Sequence, residues 1–411
     1  MRLRICVVVL ATLASAAGCA AGSVATSNTP LSARALVPKS AAASAGPVSD
    51  SKKMVSPVVA SSPAGAAQPQ IFVTVAQLLN ATDGAIVVKD CPAQGSCAFR
   101  VDVTADGGAT LRRGQDFVVA DSSDNGPPSM EDPIIGLTMV SASEMFAYGS
   151  SVWHTTDAGA TWVQLSGAPA VDAMVSSNGD VWASVACSDL SDCATSIEVI
   201  STGRLVPLRY QPGGLVGAIV RQGPNAYAVL RDAGGVGALA VSHNDGTSWQ
   251  LRPLPQKYCT YSLGPGLTIT TTGVLYVVCT MGVAAGSEPK DLYTSGNGAI
   301  GWQHEATLET YGYADGIIAA SPSILWRYGA RAAIFGSTDA GKTWHAELDD
   351  KVGDTAGPST QGFAASGTTA LAFAYGLPPG PPSPTFTGPW TINEYRTTDA
   401  GASWQTRPLQ P

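Results

Sequence analysis

Aspartate recurs in a fixed eight-residue frame, which makes it the first candidate for carboxylate chemistry in this chain. The frame is complete at 337–344 (STDAGKTW), 155–162 (TTDAGATW) and 397–404 (TTDAGASW). Its order is a hydroxyl residue, any residue, Asp, any residue, Gly, any residue, a hydroxyl residue and Trp. Degenerate copies begin at Thr104, Ser242 and Ser295. We refer to all six copies as boxes, and their third position holds Asp106, Asp157, Asn244, Asn297, Asp339 and Asp399.

The box spacing favours a structural role over catalysis. A glycosidase needs two carboxylates placed as acid and nucleophile or base, and no pair is placed that way by spacing in this sequence. Asp or Asn two residues before Gly is instead typical of a turn, because the side chain accepts backbone N–H bonds and Gly supplies a positive φ. The Trp then begins the return strand with a large apolar surface. We therefore predict turn formers and no catalytic residue.

Metal chemistry is not indicated by the histidines or the cysteines. The histidines each lie in or beside a different box, and they are His154, His243, His304 and His345. Since the boxes belong to different repeat units, we interpret these imidazoles as surface groups that do not converge on one ion. The cysteines have no Cys-x-x-Cys spacing of the kind found in zinc sites. We predict neither a metal nor another cofactor.

The box resembles the Asp-box, or BNR repeat, of sialidase-like β-propellers, and three copies match it at every fixed position. The resemblance covers residues 71–411 and implies that each box joins the third and fourth strands of a blade, away from any active centre. The same architecture serves sialidases, xyloglucanases, photosystem assembly factors and sorting receptors, so it implies no single function. The early Arg-Ile-Pro motif of sialidases is absent, and Arg100-Val101-Asp102 does not match it. No catalytic role carries over to a residue of this chain.

The box positions predict the number of repeat units. The boxes begin at 104, 155, 242, 295, 337 and 397, in steps of 51, 87, 53, 42 and 60 residues. The step of 87 hides one unit without a box, with strands at Asp180–Val185 and Ser196–Ile200 and a turn at 201–203. Four strands a unit at this period predict an all-β protein, a seven-bladed β-propeller of four-stranded antiparallel blades. A six-bladed ring, a solenoid and a pair of β-sandwiches are the alternatives.

The N-terminus has the pattern of an export signal. Arg2 and Arg4 precede an apolar run from Ile5 to Leu13, which is too short to span a bilayer. The sequence Ala-Ala-Gly-Cys ending at Cys19 resembles a bacterial lipobox, so we predict a signal peptide at 1–18 and lipidation of Cys19, with ordinary secretion as the alternative. Residues 19–70 are rich in Ala, Ser and Pro and predict a disordered tether. The propeller is expected at 71–411, anchored to the outer face of the cell membrane.

Six cysteines remain if the signal is removed and Cys19 carries lipid, an even number that suits an oxidising compartment. Cys91 with Cys97, and Cys187 with Cys193, each enclose five residues at the same point of two different units. This repeat equivalence predicts those two disulfides and leaves the pair Cys259 and Cys279.

The predicted topology places all elaborated loops on one face of the disc. In an up-and-down blade, the second-to-third and blade-to-blade connections lie opposite the boxes. The disulfide loops, the 114–134 and 280–291 segments and the Pro-rich 376–389 segment all fall there. Binding sites concentrate on such loops. We predict a binding site on this face from aromatic and basic residues, namely Tyr210, Tyr258, Tyr311, Tyr313, Arg327 and Tyr328.

The net charge and the predicted location of the protein limit the functions that are expected. The formal net charge is −8, and removal of Arg2 and Arg4 gives 21 − 31 = −10, so nucleic acid is not an expected partner. The prediction is a monomeric, lipid-anchored module that binds an unidentified protein or glycan of the cell envelope without catalysis. It would touch the membrane through its N-terminal lipid alone. The alternative is an exported glycoside hydrolase of sialidase-like or xyloglucanase-like type.

Overall fold

A computed structural model describes residues 70–92, 95–119, 132–185, 196–231, 237–256, 259, 266–280, 289–308, 316–329, 334–348, 360–376 and 391–409. The predicted signal peptide, Cys19 and nearly all of the tether lie outside these ranges. Within them, no helix has the length and apolarity needed to span a bilayer. The regular structure described consists of strands.

Four consecutive strands form each antiparallel sheet, and the described strands build seven such sheets, the blades. Blades 1 to 3 are β1 (Gln70–Leu78), β2 (Gly84–Cys91), β3 (Ala98–Thr104), β4 (Asp116–Val119); β5 (Gly136–Met139), β6 (Met145–Tyr148), β7 (Val152–Thr155), β8 (Val163–Gln164); and β9 (Val171–Ser177), β10 (Asp180–Val185), β11 (Ile197–Ser201), β12 (Arg204–Pro207).

Blades 4 to 7 follow the same order. They are β13 (Leu215–Gln222), β14 (Asn225–Arg231), β15 (Gly237–Ser242), β16 (Gln250–Pro253); β17 (Gly266–Ile269), β18 (Leu275–Thr280), β19 (Lys290–Ser295), β20 (Gln303–Leu308); β21 (Gly316–Ala319), β22 (Leu325–Tyr328), β23 (Ile334–Ser337), β24 (His345–Leu348); and β25 (Thr360–Ser366), β26 (Thr369–Gly376), β27 (Thr391–Thr397), β28 (Gln405–Pro408).

The first strands of the blades form the inside of a closed ring. Each contacts the first strand of the next blade, and β25 of the last blade contacts β1 of the first. The fourth strands therefore lie at the rim. The seven-bladed prediction is confirmed, including the third blade without a box, and the six-bladed alternative is wrong.

The core lies between the blades. Because each blade is covered on both faces by its neighbours, its second strand is an apolar run instead of an alternating one, as in Met145–Tyr148 and Leu275–Thr280. One cluster joins the last blade to the first two, with Phe373, Val87 and Met145 all buried in it. Burial between blades is thus what holds the ring together.

The boxes and the first-to-second turns lie on the same face, which we name the box face. In blade 6 the N–H of Ala340 donates to the carbonyl of Ser323 in the first-to-second turn, at 2.9 Å. Ala158 donates to Ser143 in the same way in blade 2, also at 2.9 Å. The predicted sorting of the loops is therefore confirmed where the structure describes both turns. We name the opposite side, which carries the second-to-third and blade-to-blade connections, the loop face.

Two arginines of the last blade close the ring on the first box. Arg396 donates from Nε to the carbonyl of Gly107 at 2.7 Å and from Nη2 to that of Asp106 at 3.1 Å. Arg407 donates to the carbonyls of Gly108 and Ala109, at 2.6 and 2.5 Å. Blades 1 and 7 each consist of four strands that are consecutive in the chain, so neither contributes a strand to the other. The ring is therefore closed by side-chain contacts and packing.

Candidate functional site

Each box is a hydrogen-bonded turn centred on its third residue. In blade 6, Asp339 Oδ1 accepts the N–H of Thr343 at 2.9 Å and Oδ2 accepts the Thr343 hydroxyl at 2.6 Å. The Ser337 hydroxyl donates to Asp339 Oδ1 and accepts the N–H of Gly341, both at 2.9 Å. Asp106, Asp157 and Asp399 repeat this pattern. These contacts are those of a turn former.

The degenerate boxes keep the turn with an amide in place of the carboxylate. Asn244 Oδ1 accepts the N–H of Ser248 at 3.0 Å, and its Nδ2 donates to the Ser248 hydroxyl at 2.9 Å. Asn297 Oδ1 accepts the N–H of Gly301 at 3.2 Å. The fixed requirement is thus an acceptor oxygen at the third position, and a negative charge is not essential for the turn.

The hydrogen bonds lower the pKa of the box aspartates. Bonds from the hydroxyl and amide of Thr343 lower the pKa of Asp339 to about 2. Bonds from Thr161 do the same for Asp157, whose pKa is also about 2. A carboxyl group that is ionised throughout the neutral range and saturated with donors is poorly suited to general acid or base catalysis.

The fifth residue of each box packs against the preceding blade. A Cβ placed on Gly341 would lie 2.6 Å from Leu292 of blade 5, and one on Gly401 would lie 2.6 Å from the Glu347 carboxylate of blade 6. For Gly108, the Cβ would lie 2.4 Å from Leu371 of blade 7. At these three positions glycine permits the close approach as well as the positive φ, which is 91° at Gly341, whereas the box of blade 5 has the buried Ala299 there with a φ of 64°.

The fourth residue of the box is also left-handed, although it is often alanine. The φ angles of Ala158, Ala340 and Ala400 are 57°, 63° and 57°. The box pattern by itself predicts positive φ at the glycine alone. An L-residue pays about 1–2 kcal/mol in this region, so the hydrogen bonds and packing of the box must outweigh that cost.

Two predicted disulfides are confirmed on the loop face. Cys91 bonds to Cys97 between β2 and β3, and Cys259 bonds to Cys279, which joins the connection before blade 5 to β18. Cys187 and Cys193 lie outside the described residues. Each bridge closes a covalent loop, which reduces the conformational entropy of the unfolded chain.

The structure describes only some of the aromatic and basic residues predicted for the binding site of the loop face. Tyr258, Tyr311 and Tyr313 lie outside the described residues, so their role stays a prediction. Tyr328 is half-buried, with its ring against Gly316 of β21 and 5.2 Å from the ring of Phe363 in the next blade. Arg327 is 2% exposed and lies over the ring of Phe335, 4.3 Å from its centroid.

Tyr210 is 46% exposed and is held rigidly in the connection between blades 3 and 4. Its carbonyl accepts the Trp249 indole N–H at 3.0 Å. The adjacent Gln211 accepts the N–H of Ile197 at 2.8 Å and donates to the carbonyls of Ile197 and Leu208 at 2.9 and 2.8 Å. Arg209 is exposed and its guanidinium lies 5.2 Å from the Tyr210 ring centroid. The connection thus presents an arginine and a tyrosine together on a fixed backbone.

Two buried carboxylates of the third strands, Asp102 and Glu394, are engaged by arginines. Asp102 accepts Arg100 Nε and the N–H of Gly114, both at 3.0 Å, and burial raises its pKa. Glu394 accepts Arg407 Nη2 at 2.8 Å, and burial raises its pKa as well. Both lie on third strands, away from the inner ring, and tie strands and blades together.

The histidines of the described blades are dispersed, as predicted. His154 stacks on Phe146 at 4.2 Å, with Nε2 3.1 Å from Glu144. His304 Nε2 lies 3.2 Å from Asp291 Oδ1. Among the described residues, no group of three or more His, Cys, Asp or Glu side chains could hold a metal ion.

Comparisons with known proteins identify the fold. No protein-family model matches the chain, and no curated protein matches it. The β-propeller domain of the Trilobed protease from Pyrococcus furiosus is similar, at 6% identity over 83% of this chain and 96% of that one, with a TM-score of 0.51.

Other solved structures resemble the chain less closely in shape. YCF48 bound to D1 peptide is 16% identical over 75% of this chain and 94% of that one, with a TM-score of 0.48. The GH74 enzyme of Niastella koreensis is 13% identical over 81% and 65%, with a TM-score of 0.30. At such identities the likeness extends to the β-propeller fold and no further.

Proposed function

We propose that this protein is an Asp-box propeller of the sialidase-like superfamily that acts as a lipid-anchored binding module of the cell envelope. Its ligand is a protein or a glycan, and it performs no chemistry on it. The observation that carries this proposal is the rigid presentation of Arg209 and Tyr210 on the loop face.

A fixed, exposed Arg–Tyr pair favours binding for two reasons. Tyrosine and arginine are enriched among residues that dominate binding energy, because each offers a flat surface together with hydrogen-bond donors. Gln211 and Trp249 already hold the backbone of this connection, so the ordering that accompanies ligand binding is confined to the two side chains.

Export is supported by the two disulfides of the loop face, since disulfides persist in oxidising compartments. Lipidation of Cys19 would then anchor the propeller through the tether. The absence of catalysis is supported by the use made of the buried carboxylates. Asp102 and Glu394 each bind an arginine, and Glu394 belongs to the junction that closes the ring.

Binding is tested with a glycan array and with affinity capture from envelope extract, which together supply a ligand. Tyr210→Ala and Arg209→Ala should each weaken binding of that ligand at unchanged melting temperature. Ile300→Ala is the control, because Ile300 is an apolar residue of the box face that is 69% exposed, more than Tyr210. Loss of binding with Ile300→Ala and full affinity with Tyr210→Ala would refute the assignment, and release of a cleaved glycan would refute the non-catalytic role.

Anchoring is tested separately by Cys19→Ser. The wild-type protein should fractionate with membranes and incorporate labelled lipid, whereas the variant should do neither. Unchanged membrane association of the variant would sink the lipidation hypothesis and leave ligand binding untouched.

A further inference from the structure

A cleft of about 260 Å³ opens at the rim between blades 5 and 6. Its walls are Ala306, Thr307 and Leu308 of β20 on one side, and Arg327, Phe335, Lys342 and Trp344 of blade 6 on the other. The cleft thus combines two cations with two aromatic rings, in a protein whose net charge is −8.

Lys342 departs from the repeat at its position. It is the sixth residue of its box, where the other five boxes have small or apolar residues, namely Ala109, Ala160, Thr247, Ile300 and Ala402. The turn therefore has no need of a cation there. Lys342 is exposed and forms no ion pair with any residue that the structure describes.

Arg327 departs from the repeat as well. The equivalent residue of each boxed blade stands two positions after the one that pairs with the first box residue, as Leu325 pairs with Ser337. In the other five boxed blades this position is a buried apolar residue, namely Ile86, Ala147, Ala228, Val277 and Ala372. Arg327 instead places a guanidinium over the Phe335 ring, 4.3 Å from its centroid, on the wall of the cleft.

A second cleft provides the contrast. It measures about 210 Å³, lies between blade 7 and the box of blade 1, and is lined by Glu394, Arg396 and Arg407. There the arginines donate to the box carbonyls and to Glu394, so ring closure accounts for their charge. In the blade 5–6 cleft, by contrast, the Lys342 side chain forms no ion pair with any described residue.

We propose that the blade 5–6 cleft binds a small organic acid the size of one sugar ring, through its carboxylate. Lys342 makes the direct contact and Arg327 supplies a fixed positive potential behind it. The body of the ligand contacts Trp344, Phe335 and Leu308. A bare inorganic anion would make none of these apolar contacts. Pockets for drug-sized ligands measure roughly 300–1,000 Å³, so a cleft of about 260 Å³ fits a smaller molecule such as a hexuronic acid.

This site is separate from the Arg209–Tyr210 surface of the loop face. The acid can be a free monosaccharide or the terminal residue of a glycan, since both present the same carboxylate. Tyr210→Ala should leave its binding unchanged, so failure of one proposal is distinguishable from failure of the other.

The test is a titration of the whole protein with glucuronate, and with glucose as the uncharged match. The indole N–H signals in the NMR spectrum report binding. The signal that disappears in Trp344→Phe identifies Trp344. Glucuronate should shift this signal with a Kd on the order of 1 mM, and glucose should not. Methyl glucuronide distinguishes the sources, because equal binding shows that a glycan terminus fits the cleft, whereas lost binding restricts the ligand to the free acid.

Two variants restore the repeat and locate the contact. Lys342→Ala, the residue of three other boxes, should weaken glucuronate binding about tenfold or more. Arg327→Val, the residue of blade 5, should weaken it by a similar factor. Arg204→Ala, which removes an exposed charge on β12 of blade 3, should leave it unchanged. Equal affinity of Lys342→Ala and the wild type, equal binding of glucose, or no binding of glucuronate would each overturn the proposal, whether or not Arg327→Val folds.

Discussion

Blade 6 carries a complete box and blade 3 carries none, although both join their third and fourth strands through two successive residues of positive φ. In blade 3 these two residues form the whole turn, since Ser201 pairs with Arg204. Gly341 and Gly203 have positive φ angles of 91° and 74°. A Cβ on Gly341 would lie 2.6 Å from Leu292 of the preceding blade, whereas one on Gly203 would meet nothing within 4 Å. Both turns therefore require a residue of positive φ, but only the turn with the box contacts the neighbouring blade.

This difference indicates that the box holds adjacent blades together as well as reversing the chain. Blade 3 is held to blade 2 by other means. The Thr138 hydroxyl of β5 donates to the carbonyl of Met174 in β9 at 3.0 Å, and Phe146 of blade 2 shares a buried cluster with Val171 of blade 3. The box of blade 4 does clamp blade 3, since a Cβ on Gly246 would lie 2.8 Å from Trp182.

The largest expected effect comes from adding one methyl group at each of these two glycines. Gly341→Ala should lower the free energy of unfolding by about 2–4 kcal/mol, because left-handed alanine and overpacking against Leu292 add together. Gly203→Ala is the matched control and should cost about 1 kcal/mol or less, since only the backbone term remains. Urea unfolding of both variants measures the difference, and equal losses would mean that the box does not clamp the blades.

Removal of the box acceptor should have the next largest effect. Asp339→Ala leaves the donors of Thr343 and Ser337 without their partner and should cost about 1–3 kcal/mol. Asp339→Asn should cost less, because Asn244 holds the same turn through its amide. Ligand affinity of the folded variants should stay at the wild-type value, so lost binding with full stability would show that Asp339 is functional.

A smaller effect is expected from pH. The pKa of Asp339 is lowered from 3.8 to about 2 in the folded protein, so its contribution to stability is complete above pH 3.8 and is lost as the pH falls through about 2. The stability advantage of the wild type over Asp339→Asn should therefore shrink between pH 4 and pH 2. Melting curves of the two proteins across this range provide the measurement, and a constant gap would contradict the assignment.

The smallest change should stabilise the protein. Ala340→Gly relieves a φ of 63°, and after the entropy of the more flexible unfolded chain is subtracted it should add about 0.5–1 kcal/mol. Ala402→Gly, at the sixth position of another box, has no left-handed φ to relieve and should destabilise. A loss of stability in both variants would show that strain at the fourth position is negligible.

Local patterns in the sequence were sufficient for the blades and their turns. The strand predicted at Asp180–Val185 has those bounds in the structure, and the run Met145–Tyr148 forms β6. Repeat equivalence was sufficient for Cys91–Cys97, and elimination for Cys259–Cys279. Each of these features is encoded within one unit or in the spacing of units.

Contacts between blades could not be predicted in this way. Arg396 bonds to Gly107 across 289 residues of sequence, and no local pattern marks either partner. The burial of Arg327 and the packing of Tyr328 on Gly316 depend likewise on the neighbouring blade and strand. Lys342 differs from these contacts, since alignment of the six boxes is sufficient to mark it as the single cation at the sixth position.

The closure of the ring by side chains has a consequence for how such a protein can evolve. Every sheet is built from four strands that are consecutive in the chain, so each blade is encoded by one uninterrupted segment of the gene. Duplication or loss of such a segment changes the copy number by one whole sheet and leaves no strand without its partners. Each copy can then diverge alone, and the copies do differ, since the third has no box and the sixth has Arg327 and Lys342 where the other boxed blades have small or apolar residues.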